Sequence, residues 1–263
     1  MSLEARVEGI GLVGPGLAGW SRAREMLAGF ARYKSTPSVI PTAEALPAVE
    51  RRRAGKSVRI SLAAGLEAAA AAGRSARNLG VVFASSTGDG ENVHAICEML
   101  ASSDRLISPT RFHNSVHNAP SGYWGIATGS QCSADSLAAY DASFGAGVLE
   151  AMSRIRARPE EPVLLIAYDA PYPEPLNATR PIPDAFAVAL ALASPEKATR
   201  GAMITLESGG TEPDVLDDPE LEALRRAIPA ARSLPLLCLL AREHEGRATL
   251  DYFEGLTLTV RRS

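Results

Sequence analysis

The chain has 263 residues, 46% of them hydrophobic and 22% charged, enough apolar material to bury a substantial core in one domain. A formal net charge of −3 excludes the strong basic field that nucleic acids or anionic membranes select. No apolar run reaches the roughly 18 residues of a membrane span, and Met1–Arg6 carries no apolar stretch that would direct secretion, so a cytoplasmic protein is expected. In chain order, Arg6–Val13 reads as a strand that ends in Gly14-Pro15-Gly16, and Gly19–Ala31 reads as a helix. After the basic run Arg51-Arg52-Arg53, Ser57–Ala72 reads as a second helix with a small-residue face around Leu62, Leu66 and the alanines. Gly80–Ala84 is a buried strand and Glu91–Ser102 a helix. Val163–Ala170 is an apolar run between Pro162 and Pro171, short enough for a central strand. Phe186–Ala193 and Ala202–Glu207 add two more. Pro219–Ala227 reads as a helix stopped by Pro229. Ser233–Ala241 holds a dense apolar run, and Ala248–Arg261 alternates as a strand or hairpin does. Strands separated by helical patterns predict an α/β protein with a largely parallel sheet covered on both faces.

Several short motifs point to chemistry less strongly than their spacing implies. Gly9-Ile10-Gly11-Leu12-Val13-Gly14 has the spacing of a dinucleotide-binding loop. Pro15-Gly16 breaks the helix that such a loop must open, and no acidic residue ends a second strand at the ribose position. Ser85–Gly90 could cradle a phosphate through main-chain amides, yet it lacks the Lys-Ser/Thr ending of a phosphate-binding loop. His113 and His117 have a metal-compatible spacing only on a regular helix, which Pro109, Asn114 and Pro120 oppose; a structural or interface role is expected of them. His94 is expected to be solvated or hydrogen-bonded. Cys97, Cys132 and Cys238 are scattered, odd in number and without metal-ligand spacing, as ordinary thiols of a reducing compartment are. Neither a metal nor a cofactor is implied.

The segment with most information is Tyr140-Asp141-Ala142-Ser143-Phe144, followed by the small-residue helix Gly145–Ala151. It resembles the nucleophile turn of β-ketoacyl synthases, condensing enzymes of the thiolase fold, with Asp141 in the slot of the family's cysteine. Gly80–Gly90 is similar to the family's Gly-rich segment after a core strand. Ser108–Gly122 resembles its segment from Ser-Pro through Asn-x-x-x-Gly, with Asn118 and Gly122 at the two fixed points. Pro181–Leu192 resembles its later strand. The blocks follow the family's order over roughly residues 5–208, and they are most similar to the short chain-length-factor group of aryl-polyene and related type II systems. Residues 210–263 contain neither of the family's two histidine blocks, and His244 there sits in a polar turn.

This resemblance implies a thiolase-like layered α/β fold with one complete N-terminal repeat and a shortened second repeat, residues 1–263 forming a single domain. It implies a chain without the condensation machinery, because a carboxylate is a poor nucleophile toward thioesters and no histidine pair stabilises the developing charge. The expected role is a non-catalytic chain-length factor that pairs with a β-ketoacyl-ACP synthase, with acyl carrier protein engaged through that partner. The interface would include Pro109–Gly122 and a strand at Thr128–Ala134. Phe112, Tyr123, Trp124 and Tyr140 are candidate wall positions, with His113, His117, Asn118, Asp141 and Phe144 nearby. For Asp141 three roles remain open: satisfied by backbone amides of its turn, a carboxylate that shapes the partner's pocket, or a different chemistry with His113 or His117. An independent thioesterase or acyltransferase, with Ser85 or Ser86 as nucleophile near a histidine, and a homodimeric structural protein are the alternatives.

Overall fold

A computed structural model describes residues 2–86, 88–209 and 212–263. Strand β1 spans Ser2–Gly14, and β2 (Leu17–Ala18) folds back on its end. Helices α1 (Trp20–Leu27), α2 (Ala48–Arg53) and α3 (Lys56–Ala71) precede β3 (Gly80–Ala84). Helices α4 (Gly90–Ala101), α5 (Pro109–His113) and α6 (Ala119–Thr128) then lead to β4 (Ala134–Leu137). Helix α7 (Ser143–Ala157) connects to β5 (Val163–Asp169), and the short α8 (Leu176–Thr179) to β6 (Phe186–Ala193) and β7 (Ala202–Ser208). The chain ends with α9 (Pro219–Ala227), α10 (Leu234–Arg242), β8 (Gly246–Phe253) and β9 (Leu256–Arg262).

All strands join one sheet, in the order β4-β3-β5-β6-β1-β7-β9-β8, with β2 beside β1. Every residue of β3, β5 and β6 is buried, as expected of central strands with both faces covered. The apolar core is accordingly double. Leu62, Ala64 and Ala68 of α3 and Trp124 of α6 cover one face. Val148 and Met152 of α7 cover the other, together with Leu236 and Leu240 of α10. The glycines at 9 and 11 belong to this packing and not to a nucleotide loop. A Cβ at Gly9 would stand 2.2 Å from the Ala68 carbonyl oxygen, and one at Gly11 2.0 Å from that of Ala64. Bare backbone lets α3 lie directly on β1.

The sheet is mixed, which corrects the parallel expectation. β3 pairs in parallel with β4 and β5, whereas the other pairings are antiparallel. The parallel neighbours are linked through full helices: α4 and α6 lie between β3 and β4, and α7 lies between β4 and β5. The β5–β6 link contains only the four-residue α8, too short for a crossover, so the chain returns antiparallel. The strand expected at Thr128–Ala134 is displaced. Thr128 ends α6, Gly129 closes that helix in the left-handed region (φ +69°), and the strand begins at Ala134. The apolar run at Ser233–Ala241 is a buried helix.

Candidate functional site

Between β4 and α7 the chain makes a tight 3-10 turn, Tyr140–Ala142. Ser143 stabilises it: its Oγ donates to the Tyr140 carbonyl at 2.7 Å and accepts from the Ala139 N–H at 3.1 Å. Tyr140 sits at φ +53°, a region that L residues enter rarely and at a cost. Its exposed ring lies under the Arg180 guanidinium, 3.6 Å from centroid to Cζ. The first turn of α7 presses onto its neighbours through glycines: a Cβ at Gly145 would stand 2.5 Å from the Asp251 carbonyl oxygen, and one at Gly147 2.7 Å from Leu165.

Asp141 projects from this turn into two guanidiniums. Arg180 Nη2 pairs with Oδ1, and Arg232 Nη2 lies 3.0 Å from Oδ2. The backbone-amide reading of Asp141 is thereby corrected, since its partners among the described residues are side chains. The pairing continues outward. Arg232 Nη1 is 2.5 Å from Asp251, Arg225 bridges Asp251 at 3.0 Å, and Glu222 meets Arg225 at 2.7 Å. Three arginines and three carboxylates thus alternate from the loop before β6 to α9. Arg225 holds the Glu222 carboxyl below its ordinary range by hydrogen bonding to it. A cleft of about 650 Å³, lined by Asp141, Arg232, Asp251 and Tyr252–Thr257, opens over the chain of charges. Both carboxylate oxygens of Asp141 are thus engaged by guanidiniums.

Asp169, at the end of β5, is a second buried carboxylate. Its Oδ1 accepts from Ser86 N–H at 2.9 Å and Ser85 Oγ at 3.2 Å, and its Oδ2 accepts from Ala230 N–H at 2.9 Å. Complete burial pushes its pKa up to about 7, against these three donors, which pull it down. An acidic residue ending a wholly apolar strand was the available sequence signal for it. Arg180 and Arg232 carried none, because they meet Asp141 across 39 and 91 residues of chain.

The remaining predicted residues separate into two groups. Phe112 and Tyr140 are exposed, at 67% and 63%. Tyr123, Trp124 and Phe144 are core residues, and Trp124 packs on Gly65 of α3. His113 is exposed at the end of α5, and Asn118 precedes α6 without capping it through its side chain. The two histidines do not share a regular helix, since α5 ends at His113 and α6 begins at Ala119. Among the described residues no group of three or more histidine, cysteine or acidic side chains is placed to hold a metal. His117 Nε2 lies 3.1 Å from the Ser85 main-chain oxygen, and Ser85 Oγ accepts from Gly88 N–H while donating to Asp169. Those contacts shape the loop; they do not set out a serine–histidine dyad. Ser86 Oγ accepts from Arg180. The loop's Thr87 lies outside the described residues. His94 pairs with Glu98 one turn along α4, and Cys238 is buried, its thiol pushed up to about 11 by desolvation.

The fold has counterparts among known proteins. The sequence profile described as "Beta-ketoacyl synthase, N-terminal domain" matches residues 20–243. The chain belongs to the β-ketoacyl synthase family. No curated protein matches it in sequence. Solved structures of the family share its thiolase-like layered fold. A ketosynthase (ApeO) in complex with its chain length factor (ApeC) from Xenorhabdus doucetiae aligns at TM-score 0.74 and 21% identity, over 99% of this chain and 100% of that one. The ishigamide ketosynthase/chain length factor aligns at 0.72 and 14%, over 99% of both. The AntDE:AntF assembly, a type II polyketide acyl-carrier protein with its ketosynthase, aligns at 0.76 and 12%, over 100% and 99%. Identities this low establish the fold that the family shares. Among the described residues no helix is long and apolar enough to cross a membrane.

Proposed function

We propose that this chain is the catalytically silent subunit of a heterodimeric β-ketoacyl-ACP synthase, a chain-length factor of a type II fatty-acid, polyketide or aryl-polyene system. The observation that carries this reading is Asp141, held by Arg180 and Arg232 at the turn where the resemblance places the family's cysteine. Exposed apolar side chains in the segments that precede this turn support a partner. Among the described residues, seven of the fourteen exposed large apolar side chains lie within residues 93–140, Phe112, Val116, Ile126 and Tyr140 among them. Strand β4 is the outermost strand on that side. Ser133 and Leu137 turn their carbonyls to β3, so the alternate residues Ala134 and Ser136 direct main-chain groups to the free edge. A ketosynthase strand would pair there. Tyr140, stacked on Arg180, and Phe112 would stand as rigid walls of the shared acyl pocket. Acyl carrier protein would be engaged through the ketosynthase.

The test is coexpression with a ketosynthase encoded beside this chain, followed by mass determination and product analysis. A 1:1 complex is expected, with condensation that depends on the partner's cysteine. Phe112→Ala or Tyr140→Ala should lengthen the product. Ser136→Pro, which removes an edge N–H and spares the β3 pairing, should weaken the complex at least tenfold. Thioester turnover by the chain alone would refute the reading, as would a chain that ignores the ketosynthase.

A further inference from the structure

Arg180 and Arg232 reach Asp141 from distant parts of the chain, and each is also fixed by something else. Arg180 Nη1 donates to Ser86 Oγ at 2.9 Å, and its plane rests on the Tyr140 ring. Arg232 Nη1 pairs with Asp251, while its Nε is buried without a hydrogen-bond partner among the described residues. The two side chains are only 21% and 19% exposed. Two immobilised guanidiniums that converge on one point form an anion site. The anion here is part of the protein. Asp141 is 38% exposed, and the cleft above it admits solution ions.

We propose that Arg180 and Arg232 form a carboxylate-binding site that Asp141 fills from within, and that the filled site fastens residues 212–263 to the turn before α7. Its second arginine, and Asp251 and Arg225 beyond it, all come from that segment. Emptied of Asp141, the site takes a small monoanionic carboxylate from solution. Glu212, Asp251 and Glu254 around the cleft oppose larger or more highly charged anions such as phosphate. This assignment concerns the chain by itself and does not depend on a ketosynthase partner.

Asp141→Ala tests it, because the atoms removed correspond to formate. The melting temperature of the full-length variant should fall by roughly 5 °C or more. Sodium formate should restore most of that loss with half-saturation on the order of 10 mM. Sodium chloride at equal ionic strength should not, and phosphate should do less than formate. Asp141→Asn should lose stability without rescue, since the amide still occupies the site. Adding Arg232→Met to Asp141→Ala should abolish the rescue. If Asp141→Ala does not purify folded, refolding yield with formate against chloride gives the same comparison. An unchanged melting temperature in Asp141→Ala would overturn the proposal. Equal rescue by chloride, or rescue that survives Arg232→Met or appears in Asp141→Asn, would do the same.

Discussion

Asp169 shows how a single buried group ties distant parts of this molecule together, and at what electrostatic cost. It joins the end of β5 to the loop after β3 and to Ala230 of the C-terminal segment. Its carboxyl titrates near pH 7 in the fold against a reference of 3.8. A raised carboxyl pKa means that the folded state holds its proton longer than the unfolded state. Stability from this group is therefore complete below about pH 4 and declines as pH rises to about 7. Asp169→Asn should remove that decline, visible as the difference between wild-type and variant denaturant midpoints from pH 4.5 to 8. The amide can accept from only one side and must face a donor with a donor, so the variant should also be less stable by about 1–3 kcal/mol. A variant that keeps the wild-type pH slope would remove Asp169 as its source. At this scale, the sequence marked Asp141 by its neighbours Ala142, Ser143 and the small residues of α7. It could not mark the arginines, because ion pairing across 91 residues leaves no local pattern.

Elements were legible where turn residues bound them. Gly80–Ala84, Phe186–Ala193 and Pro219–Ala227 begin and end as the apolar runs and prolines predict. Strand β4 was misplaced because Ala134–Leu137 is short, partly exposed and poor in β-branched residues, an edge strand with little hydrophobic signature. Strand direction was misjudged for a different reason: periodicity reports a buried strand but not the direction of its neighbour. The glycines of β1 show the converse, a sequence feature whose motif reading was weak and whose physical reading is strong. Gly11→Ala would drive a Cβ into the Ala64 carbonyl, which is main chain and cannot rotate away. Strand and helix must separate, at about 2–3 kcal/mol. Thermal or urea denaturation of Gly11→Ala should show this loss, and Gly29→Ala, in open space but at positive φ, gives a backbone-strain comparison without the clash.

On the scale of the whole molecule, the question is whether residues 212–263 are an appendage or part of the fold. They supply β8 and β9 to the common sheet, and Leu236, Leu240, Leu250 and Val260 lie in the same core cluster as Phe144, Val148 and Leu190. The Asp169–Ala230 hydrogen bond and the Asp141–Arg232 pair add polar ties to the earlier strands. Such sharing predicts one cooperative unfolding transition. Two natural probes can check it. Trp124 is buried against α3 on one face, and Cys238 is buried in α10 on the other, whereas Cys97 and Cys132 are exposed and react at once. In a Trp20→Phe background, where Trp124 is the remaining tryptophan, its fluorescence and the labelling of Cys238 should change at the same denaturant concentration. Labelling of Cys238 at distinctly lower denaturant would mean that the C-terminal segment opens by itself, and that the sheet is two units joined along β7.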